Sequence, residues 1–468
     1  MIKLNDAGAV VPLNKSILRD NYLLLLHGII YAALGYSTLT ENGIFTTGLY
    51  IAIIIYYLFL QPINQFYFLV GFVPFENVMK IASIDVYFIL LMISIIKLIY
   101  INRDKKVYKI SGLIFFVALF NIEMIGDIGA ISIGKLTIIL TTIAYLYFFS
   151  QLSDLTSYRI VTAILHYVIS YIIVIFTTIM SYGSVLSFIQ LVGADSQLYR
   201  FGETVDSLGE EARLLGGAMG IPLYSAMLIS MLLSYYISNN TIKIGNKVLI
   251  ITFCYAGVLF GLLTISRSFL LCMITCFLFL LLSVFTRNWR KITKALIIIF
   301  ITSILLYVAQ ADLINSKLAD FAYRETQDYG FGIRSLIYQD CFQYLEENRM
   351  GYLFGFGISN YGKIGNQNNL MFSYLAHNLY LDIIMSVGIL GGMCFVGLFN
   401  MLRKRAKACF RSKASLISVL PLLVFLVFGL TALSLTNLKT WIYIVMLIIN
   451  VYAVGKSVAI QDGGRNGE

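Results

Sequence analysis

The chain has 468 residues, of which 59% are hydrophobic and only 12% charged, and its mean hydropathy is +0.83. A soluble domain carries about 25% charged residues, so this composition cannot clothe a water-facing surface. The 33 Phe and 32 Tyr exclude disorder, and long unbroken apolar runs without two-residue alternation exclude a transmembrane barrel. What remains is an all-α polytopic membrane protein of about 12–14 transmembrane helices, with one long outer loop carrying short helices.

The net charge of +10 sits in clusters at 103–109, 287–294 and 403–413, between apolar runs. Short basic loops of this kind face the cytoplasm. They form no continuous basic face, so nucleic acid is not an expected partner. Lys3, Lys15 and Arg19 precede the first apolar run at 22–37, which reads as a retained span and not as a cleaved leader.

In chain order, spans are expected near 20–38, 43–60, 81–102, 110–128, 130–150, 159–181, 214–237, 248–265, 268–285, 294–310, 379–401, 415–436 and 440–456. The stretch 62–75, PINQFYFLVGFVPF, is short and holds two prolines. It is either a further crossing or a re-entrant piece. Basic clusters inside put both termini inside, which requires an even number of crossings. Either 62–75 crosses, or two of the other runs are one. The whole of 1–468 then forms a single integral membrane domain, with a shorter outer loop at 183–212 and a long one at 311–378. Within the long loop, Leu336, Ile337, Cys341, Tyr344 and Leu345 recur at three- and four-residue spacing, which predicts an amphipathic helix over 334–347.

Cys254, Cys272, Cys276 and Cys394 lie in apolar runs, Cys409 in a basic loop and Cys341 in the long outer loop. Cys272 and Cys276 are one turn apart but lack further ligands nearby, so they read as packing residues and no metal site is expected. His27 and His166 fall inside spans and read as packing or hydrogen-bonding groups.

The residues that could carry chemistry gather at the outer boundary. Ser266-Arg267-Ser268 interrupts two apolar runs, and an outer arginine against the charge bias is a candidate anion ligand. Arg213 precedes Gly216, Gly217, Gly220 and Pro222, a pattern for close helix packing or for broken helix beside a cavity. Gly355-Phe356-Gly357 follows Arg334 in the long loop, and no strand precedes it, which excludes a dinucleotide fold. His377-Asn378 stands where the next span begins, placing an imidazole able to take a proton at the mouth of the bundle.

This order of motifs, a Ser-Arg-Ser in the membrane, a long outer loop with Arg334, G-x-G, and His377-Asn378-Leu379-Tyr380-Leu381 leading into a glycine-rich span, resembles the O-antigen polymerase/ligase family. Arg213 with Gly216, Gly217 and Pro222 is similar to that family's second arginine segment. The resemblance spans roughly 210–400, and departs from the family pattern at Ser268, Ile221 and Leu223. It implies metal-independent glycosyl transfer, without a cofactor, at the periplasmic face of the bacterial inner membrane. A glycan leaves undecaprenyl pyrophosphate for an acceptor hydroxyl. The implied catalytic residues are His377, Arg267 and Arg213, with Arg334, Asn378, Gly355, Gly357 and Ser266 binding substrate. A polymerase acting on lipid-linked repeat units, as both donor and acceptor, is favoured over a ligase delivering polymer to lipid A-core. The expected partners are that lipid-linked glycan, membrane lipid and a chain-length regulator protein. The rival class is a flippase for the same lipid, to which Glu123, Asp127 and Lys135 at apparent spans would belong.

Overall fold

The computed structural model describes residues 13–40, 43–78, 80–81, 84–101, 157–193, 217–238, 244–264, 266–284, 330–357, 360–370, 378–393 and 420–431, with single positions scattered over 141–145 and 293–319. These residues are helical almost throughout. In order they form α1 (Leu13–Thr40), α2 (Gly43–Phe59), α3 (Pro62–Phe72) running into a 3-10 helix (Val73–Val78), α4 (Val86–Ile101), α5 (Ser157–Met180), α6 (Val185–Gly193), α7 (Gly217–Ser238), α8 (Ile244–Leu263), α9 (Arg267–Val284), α10 (Gly330–Glu347), α11 (Arg349–Phe354), α12 (Asn360–Gln367), α13 (Leu379–Met393) and α14 (Leu420–Gly429). The expected spans at 110–128, 130–150, 294–310 and 440–456 lie wholly or mostly outside the described residues.

The all-α expectation holds, and the helices Tyr22–Thr40, Val161–Met180 and Gly245–Leu263 are each long and apolar enough to cross a bilayer unaided. Three details differ from the sequence reading. Lys80–Ile81 pairs antiparallel with Ile84–Asp85, so the span expected at 81–102 begins as a two-residue hairpin and turns helical only at Val86. The shorter loop at 183–212 opens with α6, whose apolar sequence VLSFIQLVG can bury a face that the polar half of the loop cannot. The described positions from 311 to 319 are still helical, so helix reaches into the start of the stretch expected as the long loop.

The two-proline stretch runs back between α2 and α4. Tyr57 of α2 lies 2.5 Å from Ser94 of α4, and Lys97 of α4 donates to the carbonyls of Leu58 (3.0 Å) and Leu60. Neighbouring α2 and α4 are therefore parallel, and the chain must return between them. Gln65 donates to the Tyr57 carbonyl (2.9 Å) at one end, and Tyr87 donates to the Leu69 carbonyl (3.2 Å) and packs on Phe72 at the other. Pro62 starts the helix at a position needing no N–H, and Pro74 removes the donor that would extend it, tightening the chain into a 3-10 turn. At 1.5 Å per α and 2.0 Å per 3-10 residue, 62–78 covers about 28 Å, close to a hydrocarbon core of about 30 Å. Apart from Ile63, every residue from Pro62 to Phe75 is buried.

α1 and α5 run parallel in close contact through small residues, Gly28 against Ile169 and Gly35 against Ile173 and Thr177. A directed chain of hydrogen bonds ties them to α2. His166 Nδ1 lies 2.8 Å from the Thr162 carbonyl, which only accepts, so the proton is on Nδ1. His166 Nε2 then accepts from His27 Nδ1 (2.8 Å), and His27 Nε2 accepts from the Tyr56 hydroxyl (2.8 Å). Both histidines are buried, with Phe68 edge-on to His27 and Tyr67 stacked on His166. They are the hydrogen-bonding groups the sequence indicated.

α7 is the hub of the second half. It is buried from Gly220 to Ser234 and packs against α5, α8, α9 and α14. Tyr167 of α5 donates to the Tyr224 carbonyl (3.0 Å), and Tyr171 lies 2.9 Å from Ser225. Cys272 and Cys276 of α9 are buried packing residues, Cys272 reaching the Val424 carbonyl of α14. The outward faces carry exposed Ile44, Phe59, Ile96, Val248, Leu249, Phe277 and Leu278, as lipid-facing surfaces do.

Candidate functional site

Two helix starts define the site. Ser266 is the N-cap of α9: its Oγ accepts from the Phe269 N–H (3.4 Å) and its carbonyl from Leu270 N–H (3.2 Å). Arg267 is the first helical residue and is half-buried. The preceding turn is tight because the Phe269 ring lies directly over Gly261 of α8, where a side chain would clash. Ser268 is buried and accepts a hydrogen bond from Thr431, just beyond α14 (2.7 Å).

Asn378 is the N-cap of α13. Its Oδ1 accepts from the backbone N–H of Tyr380 (3.0 Å) and Leu381 (3.2 Å). Tyr380 donates to the Leu426 carbonyl of α14 (3.1 Å), and Gly429 lies against Leu379. The C-terminal end of α14 thus joins both starts, meeting Ser268 through Thr431 and Tyr380 through Leu426. A side chain at Gly429 would meet the Leu379 side chain at 3.3 Å, so α14 approaches α13 closely there.

Two further sequence-predicted residues follow by helix register. Gly257 of α8 faces Ser225 and Ile229 of α7, an antiparallel register that sets Gly217 level with the turn at 264–266. Arg213, four residues upstream of Gly217, lies outside the described residues, as does His377. In the long loop, Ile337, Cys341 and Leu345 of α10 recur every fourth residue and pack on Leu381 and Met385 of α13. This is the amphipathic face expected over 334–347, although Leu336 falls outside it and is exposed. Arg334, two turns before Cys341 on α10, is half-buried. Ser266, Arg267 and Asn378 therefore share one end of the bundle. The helix starts there present partial positive charge alongside the Arg267 guanidinium, an arrangement that attracts an anion.

Gly355 and Gly357 serve this end through their backbone. Both have positive φ (71° and 93°), and so does Gly388 (65°) within α13. Beside this left-handed residue, the Met385 and Ser386 carbonyls accept from Phe356 N–H (2.7 Å) and Gly357 N–H (2.9 Å). Gly355 N–H is held by the Gly351 carbonyl (2.8 Å). The two backbones touch: a Cβ on Gly355 would come within 2.5 Å of Ser386 and Val387 main-chain atoms, and one on Gly388 within 2.5 Å of the Gly355 nitrogen. All three donors of Gly355-Phe356-Gly357 point to main-chain carbonyls, so this segment latches the long loop onto α13.

The sequence reading passed over Asp382, Ser386, Gly388 and Thr431. The first two continue a polar row from Asn378 at four-residue spacing along an otherwise apolar span, a signal present in the sequence. Asp382 and Ser386 are fully buried, and Ser386 Oγ has no hydrogen-bond partner among the described residues.

Residues 248–396 match the family model described as O-antigen ligase. Over these residues the chain is similar to the O-antigen polymerase/ligase family. The family segment takes in α9, the long-loop helices and α13, and so includes Ser266, Arg267, Arg334, the Gly355–Gly357 latch and His377-Asn378, while Arg213 lies before it. No curated protein and no solved structure matches the chain.

Proposed function

We propose that this membrane protein is a metal-independent glycosyltransferase that moves a glycan from undecaprenyl pyrophosphate to the acceptor sugar of another lipid-linked glycan, at the periplasmic face of the inner membrane. The observation that carries the reading is the convergence of the α9 and α13 starts on the end of α14, which gathers Ser266, Arg267 and Asn378 at one end of the bundle. In the reaction, the bond from the anomeric carbon to the pyrophosphate oxygen breaks and a bond to the acceptor oxygen forms. The leaving diphosphate gains charge, which the guanidinium groups of Arg267 and Arg213 neutralise, with Arg334 as a third cation. The acceptor hydroxyl gives its proton to His377. Ser266 and Asn378 hold the two helix starts in place, and Gly355 and Gly357 hold the loop that carries Arg334.

Purified protein given lipid-linked repeat unit in detergent should lengthen the glycan and release undecaprenyl pyrophosphate. Arg267→Ala or His377→Ala should slow elongation about 10²–10³-fold, as expected for loss of one transition-state group, with insertion and thermal stability retained. Wild-type rates in both variants would refute the site. The description of the matched family favours a second reading, a ligase. Lipid A-core offered as the only acceptor separates the two: a ligase glycosylates it and a polymerase leaves it unchanged.

A further inference from the structure

We infer that α6 is an interfacial helix, which docks its apolar face into the headgroup–acyl boundary of the bilayer and ties the start of the 183–212 loop to the membrane. The inference concerns a lipid surface and does not depend on the reaction. α5 crosses over Val161–Met180, about 30 Å of helix, so its end falls at the edge of the hydrocarbon core. There the chain turns sharply. The Ile179 and Met180 carbonyls accept from Tyr182 N–H (3.2 Å) and Gly183 N–H (2.9 Å), and Gly183 takes a φ of 92°. Ser184 caps the next helix at once, its Oγ accepting from Ser187 N–H (3.0 Å). α6 thus begins beside the place where α5 leaves lipid.

On α6, Val185, Leu186 and Ile189 share a sector roughly 100° wide, and they are 48%, 66% and 59% exposed. The opposite side holds Phe188, buried against Tyr182 with ring centroids 6.0 Å apart. Contact with Tyr182, and not with a residue deeper in α5, lays α6 across the end of the span. The side that packs on protein is therefore filled, and the exposed sector is a second apolar surface. It continues the lipid-facing stripe of α5, where Leu165, Ile172 and Phe176 are exposed. Asp, Glu, Lys and Arg are absent from 160–194, so charge resumes only at Asp195, after α6 has ended.

A neighbouring corner marks the same boundary. Gly28 packs on Ile169 and Gly35 on Thr177, a register between parallel α1 and α5 that sets Thr40 level with the turn at 181–184. At the α1–α2 corner, exposed Tyr36 and Phe45 meet edge to face (6.0 Å), with exposed Ile44 beside them. Tyrosines at the ends of spans lie at headgroup level. Both corners sit on that line, and α6 runs along it.

The test is spin labelling of the full-length protein, freed of its own cysteines, in vesicles of phosphatidylethanolamine and phosphatidylglycerol. Nitroxides at Leu186→Cys and Ile189→Cys should collide several-fold more often with oxygen than with a soluble nickel chelate, at a depth of about 5–10 Å. A nitroxide at Glu347→Cys, exposed on α10, should show the opposite preference. Preference for the chelate at 186 and 189 overturns the inference. Dipolar broadening at either position overturns it too, since that is the mark of a second copy seated on this face. Ile189→Trp, in a chain whose Trp289 and Trp441 are Phe, asks the same question with every cysteine kept. Its fluorescence should be quenched by brominated acyl chains and spared by aqueous iodide, and the reverse pattern overturns the docking.

Discussion

Cys341 sits between α10 and α13, and burial, with Asp340 and Asp382 nearby adding to it, pushes its thiol up to about 12. The folded protein thus holds this proton more tightly than the unfolded chain, whose thiol titrates near 9.0. The sign follows by linkage: the contribution is complete below about pH 9 and is lost as pH rises toward 12. In a protein retaining only this cysteine, maleimide at neutral pH should label the SDS-unfolded chain fully and the folded chain hardly at all. Labelling at the rate of a free peptide thiol would contradict the packing. The sequence placed Cys341 on a helical face correctly, because spacing alone decides that. It could not reveal the burial, which comes from residues 381 and 385. Arg267 and Asn378 were legible for a related reason, since a polar residue at the edge of an apolar run is where helix caps fall. Asp382 was hidden by the apolar residues around it.

At the scale of elements, the latch between the Gly355–Gly357 segment and α13 around Gly388 depends on backbone conformations that only glycine adopts cheaply. Gly388→Ala would place a Cβ against the Gly355 main chain at a positive φ, and the strain should cost about 1–3 kcal/mol. It should show as a lower unfolding midpoint in an SDS titration, and as faster proteolysis of 330–370 as the loop separates. Substitution of Gly43, around which a Cβ meets nothing, is the matched control and should change neither. Equal stability of Gly388→Ala and wild type would refute the latch. The sequence made G-x-G conspicuous but not its partner, because Gly388 is one glycine in a glycine-rich span and its left-handed turn is a tertiary requirement. The helix at 62–78 shows the reverse case. Charge parity allowed a crossing there, while the prolines, which limit the helix to eleven residues before the 3-10 turn, made it look too short.

For the whole molecule, the first half is held by polar contacts inside an apolar bundle. Helix association in lipid has no hydrophobic drive, so close packing and interhelical hydrogen bonds supply it. The His27–His166 contact joins α1 to α5, and Tyr56 brings in α2. A double-mutant cycle with His27→Ala and His166→Ala should return a coupling of about 0.5–1.7 kcal/mol in SDS unfolding. Additive effects would show that the two rings do not support each other. The enclosure of α3 has a consequence for biogenesis. A segment carrying Asn64 and Gln65, with nearly every side chain covered by α1, α2, α4 and α5, gains little from meeting lipid alone. Its cover is complete only once α5 has been made, so burial of α3 in its final place has to wait until synthesis has passed residue 180.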